Sequence, residues 1–220
     1  MKIKTFIIFP IAGFFVFAQW WGLFQSPVDG QMGEVQKLMY VHVPAAWSSF
    51  IAFFIVFVSS ALYLVRKKLF WDHLAASSAE VGVVFTAMTL ALGSIWGRPT
   101  WGVWWTWDAR LTTTAILLFL YVGYLAFRSF IEDRDQRARI SAPLGLLIFL
   151  NVPIVYMSVR WWRTLHQVQS SPSTVDPAMV LSLRLNAFAF LFVLLLFIYH
   201  RFCLNRLREE AENKMMEDSK

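Results

Sequence analysis

Residues 180–200 read VLSLRLNAFAFLFVLLLFIYH, an apolar run long enough to cross a lipid bilayer. A membrane-spanning helix needs about 20 predominantly apolar residues, because each residue advances about 1.5 Å through a hydrocarbon layer of about 30 Å. Arg184 is the single Lys, Arg, Asp or Glu side chain in this run. The run therefore predicts a transmembrane helix and indicates the class of the whole chain.

Five further apolar runs precede it, so the sequence predicts a bundle of six transmembrane helices. The predicted spans cover approximately residues 5–24, 45–65, 81–97, 111–127, 141–159 and 180–200. Their connections are too short to fold as soluble domains, so residues 1–220 are expected to form one all-α integral membrane domain. Composition agrees, since 58% of the 220 residues are hydrophobic and 15% are charged, whereas soluble domains average about 45–50% and about 25%.

The first run begins like a secretory signal, with Lys2 and Lys4 before apolar residues, but it continues into Trp21 and Phe24. A signal ends at a small-residue cleavage site, so this run is expected to remain as a span. The single cysteine, Cys203, excludes an intrachain disulfide, and no glycine-rich phosphate loop indicates an ATPase. The basic residues behind the net charge of +6 are expected to orient the chain in the membrane, and no nucleic acid is expected as a partner.

The basic residues divide unequally between the two faces of the predicted bundle. An even number of spans puts both termini on one side, and that side holds fourteen of the 20 Lys and Arg residues, whereas the other holds five. Cytoplasmic loops of membrane proteins are enriched in Lys and Arg. Both termini are therefore predicted to be cytoplasmic, and the opposite face is called the outer face here.

Tryptophans concentrate on that outer face. Ten of the eleven lie at or beyond the outer ends of spans, and only Trp71 lies on the inner side. An aromatic belt would divide them roughly evenly between the two interfaces. A belt accounts for some of the outer tryptophans, but not for the five between Trp96 and Trp107, so we expect these to bind a ligand.

The second outer loop, residues 96–110, reads WGRPTWGVWWTWDAR. Three helix breakers favour an irregular first half: Gly97, Pro99 and Gly102. The second half is expected to form a short interfacial helix, because four side chains at spacings of 0, 3, 4 and 7 would share one of its faces: Trp101, Trp104, Trp105 and Asp108. Such a face would be an indole platform with a carboxylate at its edge.

A flat aromatic macrocycle such as haem suits an indole platform, because indoles offer wide stacking surfaces. Haem iron also needs axial ligands, most often histidine, and its propionates suit arginine. The outer loops supply His42 and His166 as candidate ligands. They also supply four arginines: Arg98, Arg110, Arg160 and Arg163.

Simpler roles exist for several of these residues. The Trp161-Trp162 pair can anchor the fifth span, the arginines can be solvated or bind lipid phosphates, and Asp108 is expected to cap the fourth span as well.

Long motifs in the outer loops resemble a known family. Residues 96–112 look like the tryptophan-rich WWD signature of haem-handling proteins in cytochrome c maturation, and residues 40–47 and 151–167 resemble the two histidine motifs of that group. Six spans, two outer histidines and one tryptophan loop are most similar to the CcmC, or haem exporter protein C, family.

This resemblance implies a function and a set of site residues. The family is implied to bind haem b as cargo at the periplasmic face of the bacterial inner membrane and to present it to the haem chaperone CcmE, with CcmD and the transporter pair CcmA and CcmB as further partners. It is not implied to be an enzyme. His42 and His166 match the axial ligands. The haem-binding loop comprises Trp96, Trp101, Gly102, Trp104, Trp105, Trp107 and Asp108, and possible propionate contacts are Arg98, Arg110 and Arg163.

Three alternatives remain open at this point. A b-type redox cytochrome normally holds haem between histidines inside spans, and no histidine lies mid-span here. A haem-translocating carrier needs polar groups at mid-depth, where the spans offer little beyond Asn151 and Asn186. A scaffold subunit would use the tryptophans to bind lipid or a protein partner.

Overall fold

The computed structural model describes residues 5–168 and 174–218, and it is helical almost throughout. After a 3₁₀ turn at Thr5–Ile7, seven α-helices follow in chain order. They are α1 (Ile8–Trp20), α2 (Met39–Arg66), α3 (Leu69–Trp101), α4 (Ala109–Ser129), α5 (Arg134–Phe149), α6 (Asn151–Trp161) and α7 (Pro177–Asp218). Because α5 and α6 together make one crossing, six segments are long and apolar enough to span a membrane, and the predicted all-α six-span class is confirmed.

The fifth span is interrupted at Leu150, between α5 and α6. Asn151 and Pro153 predict such a kink, because proline cannot donate to the preceding turn. The amide of Asn151 donates to the backbone carbonyl of Thr113 in α4 over 3.1 Å, which holds the kink against the neighbouring helix.

Two helices begin beside an acidic residue that caps them. The Asp108 side chain accepts the backbone N–H of Arg110 at the start of α4. The Asp176 side chain accepts that of Ala178 at the start of α7, whose first residue is Pro177. Acidic side chains favour this position because they pair with the free N–H groups of the first turn.

The core lies between α2, α3, α4 and the kinked span. Phe53 of α2 stacks on Tyr121 of α4 with ring centroids 3.6 Å apart and planes at 9°. Gly82 of α3 lies against the same phenylalanine, so α2 and α3 approach closely there. Two ends of the bundle are named here for their composition: the tryptophan end, where α3 ends and α4 begins, and the basic end, where α4 ends and α5 begins.

The basic end holds buried charge that the sequence analysis missed. Asp72 of α3 and Arg128 of α4 form a two-pronged ion pair with N–O distances of 2.6 and 2.7 Å, and both side chains are buried. Arg134, the first residue of α5, pairs with Glu212 of α7 at 3.2 Å. Ionisable groups inside membrane bundles pair in this way because isolation there is costly.

Candidate functional site

A cavity opens at the tryptophan end between α2, α3, α4, α6 and the segment after α6. Its volume is about 1260 Å³ when the open solvent space at its mouth is counted. Its lining on α2 runs from His42 to Phe50, or about 12 Å along the helix.

His42 enters this cavity from a helix. It lies in the first turn of α2, which begins at Met39, so the prediction that it belongs to a loop before the second span is wrong. Its ring meets Trp96 of α3 edge to face, with centroids 5.7 Å apart and planes at 79°. The backbone of Thr89 also approaches the ring, whose buried Nδ1 makes no hydrogen bond of ordinary geometry to any described residue.

His166 enters from the segment after α6, which ends at Trp161. Its Nδ1 donates to the backbone carbonyl of Gln167 over 2.7 Å, because a carbonyl oxygen can only accept. That bond fixes the tautomer and leaves Nε2 with a free lone pair, as in metal-bound histidines. Burial lowers the pKa of His166, and the positive charge of Arg110 lowers it further against the opposing effects of Gln167 and Asp108.

The two imidazoles face one another across the cavity. Their ring centroids are 6.4 Å apart and their planes are inclined by 36°. An imidazole nitrogen lies about 2 Å from a coordinated metal and about 1 Å from its own ring centre, so two axial imidazoles on one iron have centroids roughly 6 Å apart. The observed spacing therefore fits an iron placed between the rings.

The rest of the coordination would have to come with the ion. Within residues 5–168 and 174–218, no group of three or more His, Cys, Asp and Glu side chains is placed to hold a metal. A metal that brings its own equatorial ligands, as haem iron does, needs only the two axial positions from the protein.

Asp108 ties the His166 segment to the start of α4. One carboxylate oxygen accepts the backbone N–H of Arg110 and the hydroxyl of Thr164, at 2.9 and 2.7 Å. The other accepts the backbone N–H of Leu165 at 2.8 Å, and Thr164 in turn accepts the backbone N–H of His166 at 3.0 Å. Asp108 thus positions a histidine, a role that its place in the tryptophan loop does not reveal.

The predicted indole platform does not exist in the expected form. Helix α3 continues through Gly97 and Pro99 to Trp101, and the residues from Gly102 to Asp108 are not helical, which reverses the expected order of irregular and helical halves. The Trp101 ring packs where a Cβ on Gly97 would lie, so this glycine serves packing and does not break the helix. Gly102 ends α3 instead, with a φ of 80° that glycine adopts readily.

The tryptophans of the loop therefore have different surroundings. Trp96 and Trp101 line the cavity, and Trp101 lies 6.4 Å from His166 between ring centroids. Trp104 and Trp107 are exposed, at 59% and 83%. Trp105 contacts Trp107 edge to face.

The candidate propionate contacts also separate. Arg110 lines the cavity and donates to the backbone carbonyl of Val155 over 2.6 Å. Arg98 donates to the carbonyl of Gly102 and so helps to end α3. Arg163 lies with Trp107 and Trp162 in a separate shallow groove outside the cavity, and Arg160 is exposed at the end of α6.

The sequence analysis missed several cavity residues, among them Met32, Thr89 and Gly93. Gly93 had one available signal, since it lies four residues before Gly97 and therefore on the same face of α3. Met32 had none, because the loop that carries it is fixed by a local turn in which Asp29 accepts two backbone N–H groups.

This chain is similar to known proteins over most of its length. The family model described as heme exporter protein C matches residues 2–217. Heme exporter protein C of Escherichia coli K12 is 41% identical over 172 residues, which cover 78% of this chain and 70% of the relative. Heme exporter protein C of Haemophilus influenzae Rd is 38% identical over 201 residues, which cover 87% and 80%.

A mitochondrial relative extends the comparison beyond bacteria. A ccmC-like protein of Marchantia polymorpha, whose description places it in cytochrome c biosynthesis, is 43% identical over 145 residues, or 66% of this chain and 61% of the relative. These descriptions name haem export and cytochrome c biosynthesis and no catalysed reaction. The chain is a multi-pass membrane protein that belongs to the CcmC, or haem exporter protein C, family.

Proposed function

We propose that this chain binds haem b as cargo on the periplasmic side of the bacterial inner membrane and presents it to the haem chaperone CcmE. His42 and His166 would be the axial ligands, one on each side of the iron. The observation that carries this proposal is the 6.4 Å spacing of their rings inside a large cavity lined by Trp96 and Trp101.

Charge supports a propionate contact from Arg110. Its guanidinium lines the same cavity as the two histidines, and an arginine there would offset the negative charge of a carboxylate. Arg98 and Arg163 lie outside the cavity lining, so they are weaker candidates for this contact. The solvent-facing side of the cavity would leave one edge of the bound haem accessible to an acceptor.

The distribution of basic residues supports the proposed orientation. The basic end carries most of the Lys and Arg, which favours a cytoplasmic location for it and a periplasmic location for the cavity. Lys2, Lys4 and Lys220 contribute to this count and lie outside the described residues. CcmD, CcmA and CcmB are proposed as further partners on the basis of the family alone.

Packing below the cavity favours presentation of haem over its passage through this bundle. One turn beyond Phe50, Phe53 stacks on Tyr121 and is buried. A carrier would need this stack to open, whereas a protein that presents haem from one face would not.

An absorption spectrum of the purified full-length protein, supplied with haemin, tests the proposal. We expect a Soret band that shifts or fades in both His42→Ala and His166→Ala. His200→Ala is the matched control, because His200 lies near the basic end of α7 and its loss should leave the band unchanged. A wild-type protein that takes up no haem would contradict the proposal and favour a scaffold role.

A further inference from the structure

Glycines on the buried faces of the helices differ in what they contact. A Cβ built on Gly82 would meet Phe53 and Ala52 of α2, and one built on Gly145 would meet Ser60. These glycines allow two helices to approach, which is the usual use of small residues in membrane bundles. Gly93 of α3 is different, because a Cβ there would meet two atoms of His42 and no other described atom within 4 Å beyond its own turn.

The contact between Gly93 and His42 is close. The Cβ would lie 3.1 Å from Cε1 and 3.7 Å from Nδ1 of the imidazole, so the ring occupies the space that any other residue would take. Thr89 and Trp96, at four residues before and three after Gly93, lie on the same face of α3 and also approach the ring. These three residues together contact one edge of the imidazole.

We propose that Gly93 is a positioning residue for haem binding, which acts by letting the His42 imidazole lie against α3 at the distance that iron coordination requires. The inference rests on the proposed function, since it takes His42 as an axial ligand. Gly93 itself touches the imidazole and is not assigned a contact with haem.

The physical argument concerns small displacements. A methyl group at position 93 would force the ring to move by a few tenths of an ångström, since a Cβ contact of 3.1 Å is too short. Metal–ligand bonds tolerate departures of about 0.2 Å. Loss of a group that orients a metal ligand typically weakens binding by about 10- to 100-fold, so we expect Gly93→Ala to weaken haem binding by roughly tenfold and Gly93→Val by more.

Two glycine variants serve as controls. Gly123→Ala lies on α4, where a Cβ meets nothing within 4 Å, and should bind haem as the wild type does. Gly97→Ala displaces Trp101, whose Cε3 lies 3.0 Å from the built Cβ, and should reduce haem retention without changing the spectral signature of His42 ligation. Alanine favours helix more than glycine, so the melting temperature of the haem-free Gly93→Ala protein is not expected to fall.

The decisive experiment combines Gly93→Ala with His42→Ala in the full-length protein titrated with haemin. If Gly93 acts through His42, the double variant binds no more weakly than His42→Ala alone. In the haem-free protein, diethylpyrocarbonate should modify His42 faster in Gly93→Ala than in the wild type, because the ring no longer packs against α3.

The outcomes separate this inference from the proposed function. An effect of His42→Ala on the spectrum with no effect of Gly93→Ala or Gly93→Val would overturn the role of Gly93 and leave His42 as a ligand. No effect of His42→Ala would overturn the ligand assignment itself. Additive losses in the double variant would show that Gly93 acts by some route other than His42.

Discussion

The two histidines of the cavity are held in different ways. His42 belongs to the first turn of a 28-residue helix and lies against a second long helix, where Gly93 and Trp96 contact its ring. His166 follows the end of α6 and is held by the side chains of Asp108 and Thr164 and by its own bond to Gln167. One imidazole is positioned by packing between helices, and the other by hydrogen bonds within a loop.

This difference predicts unequal behaviour. Groups on helices are held more accurately than groups on loops, and connecting segments open at a lower free-energy cost than packed helices. His42 is therefore expected to define where the iron lies, and His166 to be the ligand that yields when haem leaves. The predictions below follow from this asymmetry, with the largest expected effect first.

Removal of either ligand should have the largest effect. His42→Ala and His166→Ala are each expected to weaken haem binding by about 100-fold or more, at the upper end of what loss of a supporting group causes. Added imidazole should restore the spectrum of His166→Ala at a lower concentration than that of His42→Ala. The space left by His166 adjoins the solvent, whereas the space left by His42 is enclosed by α3. Equal rescue of the two variants would remove the proposed asymmetry.

Asp108→Asn should disturb only the His166 side. The carboxylate accepts N–H groups at both oxygens, so either orientation of an asparagine amide turns its NH₂ toward one backbone donor, Arg110 or Leu165. We expect haem binding to weaken by about tenfold, with a spectrum that resembles that of His166→Ala. Asp133→Asn is a matched control, since it makes the same substitution at the cap of α5 at the basic end, where the asparagine oxygen can still accept the N–H of Gln136. Identical losses in both variants would indicate a general defect in folding.

Acidification should release haem only below the ordinary histidine range. Burial lowers the pKa of His166 below 6.5, so its neutral, iron-binding form persists as the pH falls to that value. Below that pH, His166 takes up a proton more readily when the segment that carries it is open than when it is closed. Both the closed segment and haem binding are therefore lost as the pH decreases further. A titration of the Soret band should therefore show a midpoint below pH 6.5, and a midpoint above that value would contradict the lowered pKa of His166.

Tryptophan variants should give the smallest changes in affinity. Trp101→Phe alters the cavity wall beside His166 and should weaken haem binding by a few fold. Trp107→Phe changes an exposed ring outside the cavity and should leave haem affinity unaltered. Competition for haem between the variants and the wild type measures both effects. A larger loss of affinity in Trp107→Phe than in Trp101→Phe would support the indole platform that the sequence predicts.

Much of the scaffold follows from sequence because its causes are local. The run at 180–200 is long and apolar enough to predict a span without other information, and Asp176 with Pro177 marks the start of its helix. Asp108 similarly marks the start of α4. These features depend on a few consecutive residues and on the need of a backbone in lipid to satisfy its own hydrogen bonds.

The candidate site is harder to predict from the sequence, because it depends on contacts between residues that are far apart in the chain. Gly97 and Pro99 suggest a break in a helix, but Gly97 supplies space for the Trp101 ring, and α3 runs through both. The second role of Asp108 depends on Thr164 and Leu165, more than fifty residues away. The buried pair of Asp72 and Arg128 likewise joins residues 56 positions apart, and no local pattern indicates it.

The central claim, that one iron binds between His42 and His166, is tested most directly by counting axial histidine nitrogens. Pulsed electron paramagnetic resonance of the ferric haem complex, with ¹⁵N-labelled histidine in the protein and unlabelled haem, reports those nitrogens separately from the porphyrin. We predict two axial ¹⁵N couplings in the wild type and one in each of His42→Ala and His166→Ala. Two couplings that persist in either variant, or none in the wild type, would contradict the account.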